Sequence, residues 1–212
     1  LLLIIKTLPV GLLQTNCYLV GCPETLEGAV IDPGGDAPII LAQAEAAGLT
    51  IKYVLNTHAH WDHVSANADV LEATGAKLAI HPGELPLLRA GGGAALWGIP
   101  TKPSPEPDVE LAGGQVIQVG QLELQVFLTP GHSPGHVSFY VAEAGVVFDG
   151  DVLFKQGIGR TDLPGGDFQT LMHSIKEVLL ALPPETTIYP GHGPATTVGE
   201  ERWANPWLQG GY

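Results

Sequence analysis

The chain has 212 residues, 45% of them apolar and 15% charged, and carries a formal net charge of −13. That size and apolar share allow a buried core and exclude a disordered chain. Nine Lys and Arg against 22 Asp and Glu leave too few cations for the basic surface of a nucleic-acid binder.

Apolar and β-branched runs between turn residues predict short strands over 1–6, 16–22 and 28–32. The opening LLLIIK is too short for a membrane span and lacks the basic region of a signal peptide, so no membrane partner is expected. Cys17 and Cys22 are the only cysteines. On an extended segment they point to opposite faces and cannot pair, which predicts two reduced, buried thiols in a cytoplasmic protein. DAPIILAQAEAAG predicts a helix over 36–48, with Asp36 as its N-cap and Gly48 as its stop. IKYVLN (51–56) reads as a strand that delivers the chain into THAHWDH. A helix over 64–74 ending at Gly75 and a strand over 77–80 follow.

Residues 90–108, AGGGAALWGIPTKPSPEPD, hold four Gly and four Pro and predict a mobile loop without regular structure. Trp97, its one large aromatic residue, is a candidate to close over substrate, with packing as the alternative. Further strands are predicted over 115–119, 122–128, 136–142 and 145–149, an amphipathic helix over 167–181 and a last strand over 186–189. Strand runs interrupted by helices in two similar halves predict one domain over 1–212, an α/β fold with two sheets face to face and helices outside, layered αββα.

The chemistry concentrates where strands end. His58, His60, Asp62 and His63 fall within six positions after the 51–56 strand. His132, Asp151 and His192 each follow directly on another apolar strand. Strand ends on one rim are where loops gather and sites form. Five imidazoles and two carboxylates suit zinc, with iron or manganese as alternatives. Seven ligands exceed the need of one tetrahedral zinc and fit two divalent ions sharing a carboxylate. His58 and His60 alternate along an extended segment and lie on one side; Asp62 and His63 come after the turn. His136, four residues past His132, reads as a support behind the ligands. The isolated His81 and His173 read as surface or satisfied core residues.

These phrases resemble the metallo-β-lactamase superfamily, in its glyoxalase II-like (hydroxyacylglutathione hydrolase-like) branch. THAHWDH is similar to the superfamily's T-H-x-H-x-D-H, and TPGHSPGH, FDGDVLF and YPGHG match its later motifs in order. VIDPGG, GIGRTDLPGGD and GPATTVGEERWANPW extend the likeness from about residue 7 to residue 208. The resemblance implies an αββα sandwich with two metal ions at one edge. His58, His60 and His132 would hold the first ion, Asp62, His63 and His192 the second, and Asp151 would bridge them. Asp62 and Asp151 are thereby the candidate catalytic residues. Asp32 would orient the metal loop from behind; its alternative is a turn residue before Pro33-Gly34. The implied activity is hydrolysis of a hydroxyacylglutathione-type thioester by a metal-bound hydroxide.

Two departures bear on substrate. The chain stops about 20 residues after His192, so the C-terminal helical domain of full-length glyoxalase II is expected to be absent. Arg160 falls where those enzymes place a basic residue near the glutathione carboxylate, with a structural ion pair as its alternative. The alternative readings are a mononuclear iron persulfide dioxygenase, which shares the ligand set and the GRTD phrase, a lactonase or other ester hydrolase of the superfamily, a class B β-lactamase, a tRNA-processing nuclease and a non-catalytic metal-binding scaffold.

Overall fold

The computed structural model describes residues 3–210. Its first sheet has six strands in sequence order: β1 (Ile4–Val10), β2 (Thr15–Gly21), β3 (Glu27–Ile31), β4 (Thr50–Leu55), β5 (Lys77–Ile80) and β6 (Val109–Glu110). β1 to β3 pair antiparallel, and β3 to β6 run parallel. β2 is buried on both faces along its whole length. Its period of two sends Tyr18 and Val20 into one apolar cluster and Cys17 and Leu19 into another. Cys17 and Cys22 therefore sit in different clusters, and both thiols are free and buried.

The second half builds β7 (Val116–Val119), β8 (Leu122–Leu128), β9 (Val137–Val141) and β10 (Val146–Gly150). A small hairpin, β11 (Leu153–Phe154) with β12 (Gly157–Ile158), leaves the sheet before β13 (Thr187–Pro190) and β14 (Thr196–Thr197) complete it. Phe139, Phe148, Leu122 and Leu124 meet Tyr18, Val20, Ile31 and Leu55 between the sheets. Each fully buried aromatic or aliphatic side chain here stabilises by about 2 kcal/mol. Outside the first sheet lie α1 (Ala37–Ala46), α2 (Trp61–Val64), α3 (Asn67–Thr74) and α4 (Leu85–Arg89). Ile40 and Val70 pack from α1 and α3 onto Leu19, Val30 and Val54. Outside the second lie α5 (Phe168–His173) and α6 (Val198–Ala204), where Leu171, Ile175 and Val198 cover Val147 and Ile188. The layering is αββα, as the alternation predicts.

Local details differ from expectation. The first strand runs to Val10, and the expected Leu1 and Leu2 lie outside the described residues. Asp36 holds the N-cap position of α1 as expected, but only through its backbone: it sits at φ 49°, and its carboxylate accepts the Gly11 amide at 2.8 Å instead of a helix amide. The 64–74 helix is two helices, because the Ala66 amide leaves the helical ladder and donates to the Pro33 carbonyl at 2.9 Å. Residues 91–97 form a kinked 3₁₀ segment, permitted by positive φ at Gly92 and Gly93. The 167–181 helix, capped by Asp167 on the Thr170 amide, widens after His173 into a π-helix, with Leu180 N–H donating to Ile175. β6, β11, β12, β14, α4 and α6 had no expected counterpart.

β8 and β10 each pair antiparallel with β9, and β10 is parallel to β13. The C-terminal ends of β8, β10 and β13 therefore open on the same rim. The Asn16 amide donates to the Gly191 carbonyl at 2.8 Å, and Tyr18 Oη donates to Pro190 O at 2.6 Å. These bonds close the rim of the first sheet onto that of the second.

Candidate metal centre

All seven strand-end residues meet on this rim. His58, His60 and His132 form one triad, and Asp62, His63 and His192 form another; within each, the candidate ligand atoms lie within 4.8 Å of one another. Asp151 stands between them. Its Oδ1 is 3.5 Å from His63 Nε2, and its Oδ2 is 3.6 Å from His132 Nε2 and 3.7 Å from His192 Nε2. All but His192 are buried.

Hydrogen bonds behind the rings fix which nitrogen faces inward. The Arg160 carbonyl can only accept, so His132 Nδ1, 2.8 Å away, carries the proton and Nε2 presents its lone pair. Asp32 Oδ2 accepts from His63 Nδ1 at 3.0 Å and from Thr57 Oγ1 at 2.6 Å. With its hydrogen spent on Asp32, Thr57 Oγ1 accepts from His58 Nδ1 at 3.0 Å. His58 Nε2, His63 Nε2 and Asp151 Oδ1 are buried without a hydrogen-bond partner. Unpaired buried polar atoms are costly. Converging here from a carboxylate and from imidazoles held by the Asp32 carboxylate and the Thr57 hydroxyl, they fit a divalent cation.

The charges agree. Burial, then His132, lowers His60 from 6.5 to about 4, and burial holds His58 and His136 well below 6.5. These rings are neutral, the form that binds metal. Burial would raise Asp62, but His63 and His192 outweigh it and hold its carboxyl at about 2. Asp151 is likewise held down against its burial, chiefly by His63. The same carboxylates raise His63.

Asp32 belongs to neither of these two triads, but its carboxylate forms a third close group with His58 and His63; it stands at a left-handed turn under the metal loop and accepts three bonds there. His136 also stays out of both. Its Nδ1 meets Thr129 Oγ1 at 3.0 Å, and its Nε2 accepts the Asp151 amide at 3.2 Å. Glu84, which the sequence reading passed over, is fully buried and joins two metal loops: it accepts the Ala59 amide at 2.8 Å and the Gly135 amide at 2.7 Å. Gly191 is required beside it all, since a Cβ there would collide with Asp151 Oδ1 and His63. His81 caps a short 3₁₀ turn on the Gly83 amide, and His173 is exposed.

The triads floor a cleft of about 740 Å³ that Trp97 and Arg160 also line. The 3₁₀ segment thus borders the site, and Trp97 is 56% exposed. The Arg160 guanidinium is forked on Asp162, with both bonds at 2.7 Å.

The profile of the metallo-beta-lactamase superfamily matches residues 10–192. The chain belongs to that superfamily. Among its members, the probable metallo-hydrolase YqgX of Bacillus subtilis is 41% identical over 97% of both chains. The hydroxyacylglutathione hydrolase GloC of Haemophilus influenzae is 36% identical over 96% of this chain and 97% of its own. Two crystal structures superpose over nearly the whole metallo-beta-lactamase fold. BLEG-1 B3 metallo-beta-lactamase gives a TM-score of 0.92 at 40% identity, covering 98% of this chain and all of its own. TTHA1623 in a di-iron-bound form gives 0.88 at 44%, covering 96% of this chain and all of its own. Among the described residues, no helix is long and apolar enough to cross a membrane.

Proposed function

We propose that this metallo-hydrolase is a dinuclear thioesterase acting on hydroxyacylglutathione-type thioesters. The carrying observation is Asp151 standing between two His-containing triads, one of pure imidazole and one with a carboxylate. GloC, similar over the full length, supports the thioester reading. His58, His60 and His132 would hold one ion, Asp62, His63 and His192 the other, and Asp151 both. Two divalent ions there supply an ionised water near neutral pH and Lewis-acid stabilisation of the developing oxyanion.

The chain's own groups do the positioning. Asp62, ionised at neutral pH and engaged through Oδ2 by Thr15 at 3.0 Å and His192 at 3.1 Å, orients the attacking water. A C–O bond forms from the water oxygen to the carbonyl carbon, the C–S bond breaks with its electron pair on sulfur, and the departing thiolate takes up a proton released from the water. A thiolate departs without a strong general acid, and none is needed here. Trp97 and Arg160 line the approach as candidate substrate contacts. Zinc suits the donor set; iron is the second reading, favoured by the di-iron form of TTHA1623. Two free, buried cysteines fit a cytoplasmic setting.

Elemental analysis joined to a panel of glutathione thioesters, lactones, β-lactams and glutathione persulfide tests this. Two ions per chain and thioester cleavage are expected. A single iron in active protein that consumes oxygen on the persulfide overturns the reading.

A further inference from the structure

The cleft over the metal edge has apolar walls. Leu12 and Leu13, in the turn between β1 and β2, stand on one side; Leu96 and Trp97 stand on the 3₁₀ segment; Phe154 and Leu163 complete the lining. Leu12 is 75% exposed, Leu13 51%, Leu96 69% and Trp97 56%. Four large apolar side chains facing solvent together around one opening mark a binding surface rather than scattered exposure. Its floor is His60, Asp62, His132, Asp151 and His192, so whatever fills the cleft touches the reacting edge.

Charge separates the two ends of a substrate. Among the described residues, Arg160 is the sole Lys or Arg that lines the cleft, and its fork is closed on Asp162. An anionic thiol carrier would meet no unengaged lining cation. An apolar group would cover leucine and tryptophan surface.

We propose that the cleft selects an extended apolar acyl group, aliphatic or aromatic, as its main determinant, with the Arg160–Asp162 fork adding only a secondary contact to the carboxylates of the thiol. The inference rests on the thioester hydrolase reading and narrows its substrate class. Leu12, Leu13, Leu96 and Trp97 are the specificity-determining residues. The acyl chain lies between the β1–β2 turn and the 3₁₀ segment, with its carbonyl over the metal edge.

The test uses metal-loaded protein and two series of thioesters, acetyl to decanoyl. One series is on glutathione and one on the neutral thiol N-acetylcysteamine. kcat/KM should rise about tenfold from acetyl to hexanoyl in both, as expected for partial burial of added methylenes. The Leu12→Ser/Leu13→Ser and Leu96→Ser variants should flatten that rise, lowering kcat/KM for the hexanoyl thioester several-fold more than for the acetyl one. Independently of turnover, a non-hydrolysable octyl thioether of N-acetylcysteamine should quench tryptophan fluorescence and lose this effect in Trp97→Ala. Binding of the thioether with no thioester cleaved would sink the hydrolase reading and leave the apolar site standing. Cleavage that is flat or falling with chain length, together with no thioether binding, overturns the proposal. So does a concentration-dependent dimer abolished by Leu12→Ser/Leu13→Ser with no chain-length effect, since a second copy would then own the surface.

Discussion

Asp32 Oδ2 and His63 Nδ1 lie 3.0 Å apart, although 31 residues separate them. The Asp32 carboxylate faces the metal loop from a left-handed backbone, φ 50°, at the end of β3. Asp tolerates that conformation better than most residues. Asp32→Ala leaves the ring of His63 free to turn and the Thr57 hydroxyl without its acceptor. Metal affinity should fall about 10- to 100-fold, measured by competition with a chromophoric chelator. An unchanged affinity would make the Asp32 bond structural only.

Asp151→Ala removes a carboxylate that stands 3.5 Å from His63 of one triad and 3.6 Å from His132 of the other. Metal content should drop for both ions together, and activity with it. Retention of one full equivalent, with half-sites titrating independently, would show that Asp151 does not bridge.

Glu84→Gln places an NH2 against one of two amides that now meet a carboxylate oxygen. An orphaned buried donor costs about 1–3 kcal/mol, and for a domain of this size 1 kcal/mol lowers Tm by about 2–4 °C. Glu84→Ala should cost more, and both should lower kcat/KM because the loops of His58–His60 and His132 lose their tie. Calorimetry alongside kinetics decides this; a fallen Tm with untouched kinetics would restrict Glu84 to stability.

The Arg160 carbonyl serves His132 whatever the side chain, so Arg160→Ala should spare the metal site. On a glutathione thioester it should raise KM more than it lowers kcat. Asp162→Ala should do the reverse to KM, by releasing the fork. A thioester without carboxylates should respond to neither. Equal penalties on both substrates would show that the pair only shapes the loop.

Metal-stripped protein should be destabilised by acid earlier than carboxylate titration allows. His60, lowered to about 4 by burial and His132, is neutral when folded and protonates near 6.5 when unfolded. The unfolded state then binds more protons, so this contribution is present above 6.5 and lost as pH falls toward about 4. His58 and His136 have the same sign; His63, raised, has the opposite one, losing its contribution as pH rises. Asp62, lowered to about 2, keeps its contribution throughout this window and loses it only at lower pH. In chelator, Tm should fall between pH 6.5 and 4, and His60→Gln should make that limb shallower. An unaltered slope would remove His60 from the acid response.

The seven edge residues were legible because each follows an apolar strand, and three of those strands end on one rim for reasons of pairing direction. The layering was legible in the alternation of strands such as β8, whose inward positions are buried and outward ones are not. What stayed hidden was mostly backbone. The Arg160 carbonyl on His132 and the Pro33 carbonyl that breaks the 64–74 helix have no side-chain signature. Glu84 was invisible for a different reason: its HPGELP surroundings carry no ligand spacing, and its partners, Ala59 and Gly135, are amides. Asp36 misled only in its side chain, because a residue of capping type can spend its carboxylate elsewhere, here on Gly11.

A single oxygen, Asp32 Oδ2, orders His63 directly and His58 through Thr57. One imidazole belongs to each of the two triads above, and both also group closely with Asp32 itself. Occupancy of either triad immobilises that shared oxygen, so the second ion meets a ring whose torsional freedom is already spent. The two binding events are thermodynamically linked: we expect a titration curve steeper than that of independent sites. Asp32→Asn, which breaks the relay at its hub, should relax the curve toward independence even where total capacity survives.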